Sequence, residues 1–159
     1  MRWLLPLILC ACMPIGEQVF VTPDPWTGAT LVTTQEREIY RDPDGIAVAR
    51  PAIVVKDGQA AYAVLLNVRR RDANGPRIDK VTSLGHTLPY SRHDRLRTHC
   101  IDGCQKAEVG AIHLSPASFR AAARAGLPLR IWGKRGRYHG IVPAEAFARV
   151  LAQVRIAPH

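Results

Sequence analysis

The sequence predicts an α+β fold: a small, mainly antiparallel β-sheet with two C-terminal helices packed on it. Three observations carry that expectation. A β-branched segment and an apolar one flank Asp57-Gly58, a dipeptide suited to a tight hairpin turn. A second pair of apolar segments, LPLRIW and RYHGIV, flanks the turn GKRG. Two stretches have helical spacing: one opens at Ser115-Pro116 and closes at Gly126, and the other places Phe147, Val150, Leu151 and Val154 at i, i+3, i+4 and i+7.

Taken in order, residues 13–28 contain Pro14, Gly16, Pro23, Pro25 and Gly28, a density that breaks any helix and reads as a tether with a turn at its end. Residues 29–40 read as a strand on Thr30, Val32, Thr33 and Ile39, and RDPDG turns the chain. Residues 46–55 are rich in β-branched side chains, but Pro51 has no N–H to donate and is expected to put part of that strand at a sheet edge. In residues 60–68, Tyr62, Val64, Leu66 and Val68 share one face and Ala61, Ala63 and Leu65 the other. Both faces are apolar, the pattern of a central strand. RRRDANGPR is a polar turn, and residues 77–83 are expected to return from it as the paired strand.

Residues 84–107 show no period and are expected to be irregular, whereas EVGAIHL reads as a strand. The helix after Ser115 is expected to bury Phe119, Ala122 and Ala123. The GKRG hairpin has a definite predicted register: Trp132 opposite Arg137, Ile131 opposite Tyr138, Leu129 opposite Gly140 and Leu127 opposite Val142. Cross-strand partners share a face. Leu127, Leu129, Ile131, Tyr138 and Val142 therefore form the core side, while Arg130, Trp132, Arg137, His139 and Ile141 face outward, with Trp132 placed for a cation–π contact with Arg137.

With 159 residues, 47% of them apolar, the chain suits one domain with a real core and is not a disordered polymer. Lys and Arg number 22 against 13 Asp and Glu, a formal charge of +9. Such a balance suits lipid headgroups and acidic polymers. No Lys/Arg cluster interleaves with aromatic residues in the manner of a nucleic-acid platform, so a nucleic-acid partner is not expected.

The N-terminus, MRWLLPLILCAC, sets Arg2 before an apolar run far shorter than the roughly 20 residues of a spanning helix. This is the layout of an export signal. The stretch Leu9-Cys10-Ala11-Cys12 resembles the lipobox of bacterial lipoproteins, with Leu9 as the aliphatic position, Cys10 and Ala11 as the small ones and Cys12 as the lipidated cysteine. The resemblance implies an export signal over 1–11, a palmitate-bearing N-terminus and tether over 12–28, and a single α+β domain over 29–156. It also implies a place in the bacterial cell envelope with the domain in the periplasm. Met13, which is not Asp, points to the outer rather than the inner membrane.

SRHDRLRTHCIDGCQ is the richest stretch for chemistry. An exported chain would retain Cys100 and Cys104 as an even pair around the turn-forming Asp102-Gly103, and in an oxidising compartment a disulfide is expected. Alternatively, the C-x-x-x-C spacing resembles the copper site of periplasmic copper chaperones for cytochrome oxidase. That resemblance implies Cys100 and Cys104 as thiolates, joined by His93 or His99. In that family the pair opens a helix and is followed by proline; here Gln105 follows.

The chain has no G-x-S-x-G, no S-x-x-K and no glycine-rich phosphate loop, so neither catalytic residues nor a cofactor are expected. The basic hairpin tip, with Lys134, Arg135 and Arg137, suits contact with an anionic surface. The sequence thus points to a non-enzymatic, exported, lipid-anchored envelope protein of binding or structural type. Its expected partners are membrane lipid through the anchor, and an envelope protein or anionic envelope polymer through the domain. A periplasmic metal- or thiol-handling protein is the alternative.

Overall fold

The computed structural model describes residues 18–71, 75–100 and 104–156; the side chains of 94–100, 104 and 155–156 lie outside that description, as do residues 1–17 with the lipobox-like stretch and Cys12. Among the described residues, eleven strands and two helices run in the order β1 (Val19–Pro23), β2 (Thr30–Thr34), β3 (Arg37–Arg41), β4 (Gly45–Lys56), β5 (Gln59–Arg70), β6 (Ile78–Ser83), β7 (His86–Leu88), β8 (Tyr90–Cys100), β9 (Cys104–Leu114), α1 (Pro116–Ala125), β10 (Leu127–Gly133), β11 (Gly136–Val142) and α2 (Ala144–Ile156). The expected class is observed: antiparallel sheet with two helices of the C-terminal third packed on it.

The strands divide into two sheets. The larger has seven strands in the order β1-β2-β4-β5-β9-β8, with β3 also paired to β4; the smaller has four in the order β11-β10-β6-β7. Helix α2 lies against β2 and β4, and α1 against β5 and β9. Val64, Leu66, Ile112, Phe119, Phe147 and Ile131 belong to one core that both sheets and both helices share. Phe119 stacks edge-on against Phe147 at 4.9 Å between ring centroids, joining the helices.

The local reasons are legible. Asp57 and Gly58 have φ of 50° and 73°, the left-handed pair of a tight hairpin turn, and β4 pairs with β5 from Gly45↔Arg70 to Lys56↔Gln59. Ser115 caps α1 by accepting the Ser118 N–H at 3.0 Å, and Gly126, at φ 76°, ends it.

Four expectations change. Pro51 is buried within a strand paired on both sides, not at a sheet edge. On one side β4 faces β5 throughout; on the other it meets β2 at residues 52–55 and β3 at residues 46–49. Pro51 falls in the break between those two ladders, so its missing N–H costs nothing there. Its carbonyl accepts the Thr33 hydroxyl at 2.8 Å.

The strand after RRRDANGPR does not return to β5. Gly75 and Arg77, at φ 66° and 48°, turn the chain away, and β6 pairs with β10 and β7 in the second sheet.

The stretch expected to be irregular is largely strand. Its residues pair as β8 along β9 from Tyr90↔Ile112 to Cys100↔Cys104, with slips between Arg92 and Asp94 and between Asp94 and Arg97. Ladder pairing there overrides a sequence too charged to show a period. Finally, part of the segment read as a tether is structured, because Val19–Pro23 forms the outermost strand of the larger sheet. Proline at the strand's end breaks a helix but not an edge strand.

Two seams join the sheets. At one, Gly140 of β11 lies so close to the backbone of Ile39 in β3 that a Cβ would collide with the Ile39 carbonyl. Tyr40 closes over this seam, edge-on to Tyr138 with centroids 5.4 Å apart. At the other, Ile78 of β6 donates its N–H to Glu108 of β9, beside Tyr90, which folds over Gly110, where a Cβ would overlap its ring, and points its hydroxyl at Glu108.

Candidate functional site

The β10–β11 hairpin has the register read from the sequence, including Trp132↔Arg137, Ile131↔Tyr138, Leu129↔Gly140 and Leu127↔Val142. Leu127, Leu129, Ile131, Tyr138 and Val142 are buried, while Arg130, Arg137, His139 and Ile141 are exposed. The guanidinium of Arg137 sits 4.7 Å from the centroid of the Trp132 ring, the expected cation–π contact.

The second sheet adds what the sequence did not reveal. Strand β6 brings Lys80 opposite Trp132 and Thr82 opposite Arg130, and β7 sets Thr87 opposite Thr82. Lys80, Arg130, Arg137 and His139 thereby share one outward face around Trp132, and Lys134 and Arg135 extend it at the hairpin tip. The cross-strand pairs on this face contain no carboxylate. A hollow of about 350 Å³ lies on it, lined by Arg130, Trp132, Arg137 and His139 among others. A flat indole beside guanidinium and ammonium groups provides both charge and a stacking surface for an anionic ligand.

At the opposite seam, Glu108 is 1% exposed. Its carboxylate accepts the Ile78 N–H at 3.1 Å, the Tyr90 hydroxyl at 3.1 Å and Arg92 Nε at 2.9 Å. Arg92 Nη2 also donates to the Ile78 carbonyl at 3.1 Å. The Glu108 hydrogen bond holds the Arg92 guanidinium charged, pushing its pKa above the ordinary value. Burial, then the Glu108 charge and hydrogen bond, push the Tyr90 phenol well above the ordinary tyrosine range. A buried carboxylate with this many donors satisfies its desolvation cost while tying β6 to β8 and β9. Separations of 16 to 30 residues between these partners hide the cluster from any local reading of the sequence.

On the other face of the larger sheet, Ser91 Oγ lies 2.7 Å from His113 Nε2 and 3.5 Å from His93 Nε2. A serine beside an imidazole has the first two elements of a nucleophile, and here the pair is exposed on a sheet face.

The expectation of a Cys100–Cys104 disulfide is corrected: no cysteine pair stands at or near disulfide distance among the described residues. Cys100 and Cys104 are direct ladder partners at the end of the β8–β9 hairpin. Of the ligands in the metal alternative, only the His93 side chain is among those described. No group of three or more His, Cys, Asp or Glu able to hold a metal occurs among the described residues. A strand rises about 3.3 Å per residue, so His93 stands on the order of 20 Å along β8 from Cys100. The His99 side chain lies outside the described set, as does Cys12.

No helix among the described residues is long and apolar enough to cross a membrane. Compared with known proteins, the chain matches no protein-family model, no curated protein and no solved structure.

Proposed function

We propose that this chain is a lipid-anchored domain of the bacterial cell envelope that binds an anionic envelope polymer, a polysaccharide bearing carboxylate or phosphate, on the outer face of its four-stranded sheet. The observation that carries the reading is the clustering of Lys80, Arg130 and Arg137 around Trp132 on one face whose cross-strand pairs include no carboxylate. The formal charge of +9 adds long-range attraction for a polyanion. Arginine suits carboxylate and phosphate because its planar fork donates two parallel hydrogen bonds. The lipobox-like Leu9-Cys10-Ala11-Cys12 supports the anchored location, with Cys12 carrying the lipid. The several chains of a lipoprotein anchor hold a domain at the membrane durably. In this reading the domain works by binding, without catalysis.

The test measures binding of the domain to polygalacturonate, with neutral dextran as control. Binding to the polyanion that weakens steeply with salt, and drops in Arg130→Ala and Arg137→Ala, supports the reading. Equal binding to dextran, or tighter binding to a single-stranded oligonucleotide of matched charge, overturns it. The anchor is tested separately. Cys12→Ser is expected to abolish palmitate labelling and release the protein from membranes, and labelling at the parental level would sink that part.

A further inference from the structure

Strand β6 is covered unequally on its two edges. Strand β10 pairs with it from Ile78 to Thr82, but β7 covers the other edge only from Val81 to Ser83. The chain leaves β7 at Leu88 and crosses to the larger sheet as β8. The uncovered stretch, Ile78 to Lys80, opens on a cleft of about 320 Å³ at the junction of the sheets, walled by Leu88 and Tyr90. At Ile78, side chains stand in for the missing strand: its N–H goes to Glu108 and its carbonyl takes Arg92 Nη2.

That arrangement fixes Arg92 from behind and leaves part of it unspent. A guanidinium has five N–H donors in a rigid fork. The bonds to Glu108 and Ile78 use Nε and one hydrogen of Nη2, while the side chain remains 45% exposed. Its remaining donors belong to a group that lines the cleft together with Asp79, Lys80 and Thr87. A guanidinium held by a buried carboxylate is a pre-organised receptor for an oxyanion, because binding costs little further ordering. Asp79 and Thr87 bring a carboxylate and a hydroxyl, groups that hydrogen-bond to alcohols, and Leu88 offers an apolar wall. The volume is at the small end for ligand sites and suits one sugar ring.

We infer that this cleft is a binding site for a monosaccharide unit bearing an anionic group, carboxylate or phosphate. Arg92 and Lys80 take the anion, Asp79 and Thr87 take ring hydroxyls, and Leu88 packs on a C–H face. The inference deepens the polymer reading by assigning a subsite for one of its residues; Lys80 borders both places, but Asp79, Thr87, Leu88 and Arg92 line the cleft and not the Trp132 hollow, so variants there and at Arg137 tell the two apart.

The experiment is an NMR titration of the domain with glucuronate and with glucose 6-phosphate, glucose being the neutral control. Expected are millimolar binding of one or both anionic sugars and shift changes centred on β6, β7 and the start of β8. Response to only one of them supports the site and assigns its anion. Thr87→Val and Asp79→Asn, exposed positions outside the core, are each expected to weaken binding about tenfold, the worth of one lost polar contact. Arg137→Ala, outside the cleft, is expected to leave the shift changes at β6, β7 and the start of β8 as they are. Arg92→Lys keeps the charge, loses the fork, and is expected to bind more weakly still. Glucose binding equally well, no binding at millimolar ligand, undiminished binding in Thr87→Val and Asp79→Asn, or loss of binding in Arg137→Ala would each overturn the assignment. The last result would place the sugar on the Trp132 face instead.

Discussion

Arg92 Nε donates to Glu108 Oε1 at 2.9 Å, and the two side chains differ sharply in surroundings: Glu108 is 1% exposed and Arg92 45%. The pair is therefore asymmetric. Arg92→Ala leaves a buried carboxylate with its charge uncompensated, at a cost of about 3 kcal/mol. Glu108→Gln removes the buried charge and leaves a solvated guanidinium, so it is expected to cost less. Urea unfolding of both variants checks this, and a larger loss in Glu108→Gln than in Arg92→Ala would contradict the asymmetry.

Tyr90 gives the domain a specific alkaline weakness. Burial and the nearby Glu108 raise its pKa in the folded state above the unfolded value of about 10. A group with a raised folded pKa contributes its full stabilisation below the unfolded pKa and loses it as pH rises toward the folded one. Stability should fall as pH climbs above about 10, and Tyr90→Phe should flatten that fall while lowering stability at neutral pH by about 1 kcal/mol for the lost hydrogen bond. An unchanged alkaline slope in Tyr90→Phe would show that Tyr90 is not its source.

The two faces of the β10–β11 hairpin should respond oppositely to the same substitution. Ile131 is 1% exposed and Arg130 faces outward one residue away. Ile131→Asp is expected to cost several kcal/mol, roughly the cost of an unpaired buried carboxylate. Arg130→Asp should leave the melting temperature nearly unchanged and reduce polyanion binding. Equal melting temperatures would refute the facing.

Gly140→Ala tests the seam between the sheets. The added methyl has no room against the Ile39 carbonyl, a backbone atom that cannot rotate away. β3 and β11 must separate, and the variant is expected to fold poorly or expose core to a hydrophobic dye. Gly58→Ala, where a Cβ meets nothing within 4 Å but φ is 73°, is expected to cost about 1 kcal/mol through strain alone. Similar losses for both variants would argue against the tight seam.

The sequence by itself determined the features that depend on neighbours along the chain. The Asp57-Gly58 turn, the Ser115 cap, the Gly126 stop and the alternation in LPLRIW and RYHGIV are short-range matters of dihedral preference and periodicity. They suffice for the class of the fold and for the hairpin that sets Arg137 on Trp132. Tertiary structure decided what depends on partners far apart in the chain. Pro51 is tolerated inside a paired strand because two separate strands end beside it. Lys80 reaches the basic face because β6 joins β10 instead of β5. Glu108, in a stretch that reads simply as a strand, becomes the buried tie between sheets because Ile78, Tyr90 and Arg92 arrive from elsewhere to supply its hydrogen bonds. A buried charge is stable only where its donors converge, and that convergence is a property of the assembled fold, not of any stretch of residues.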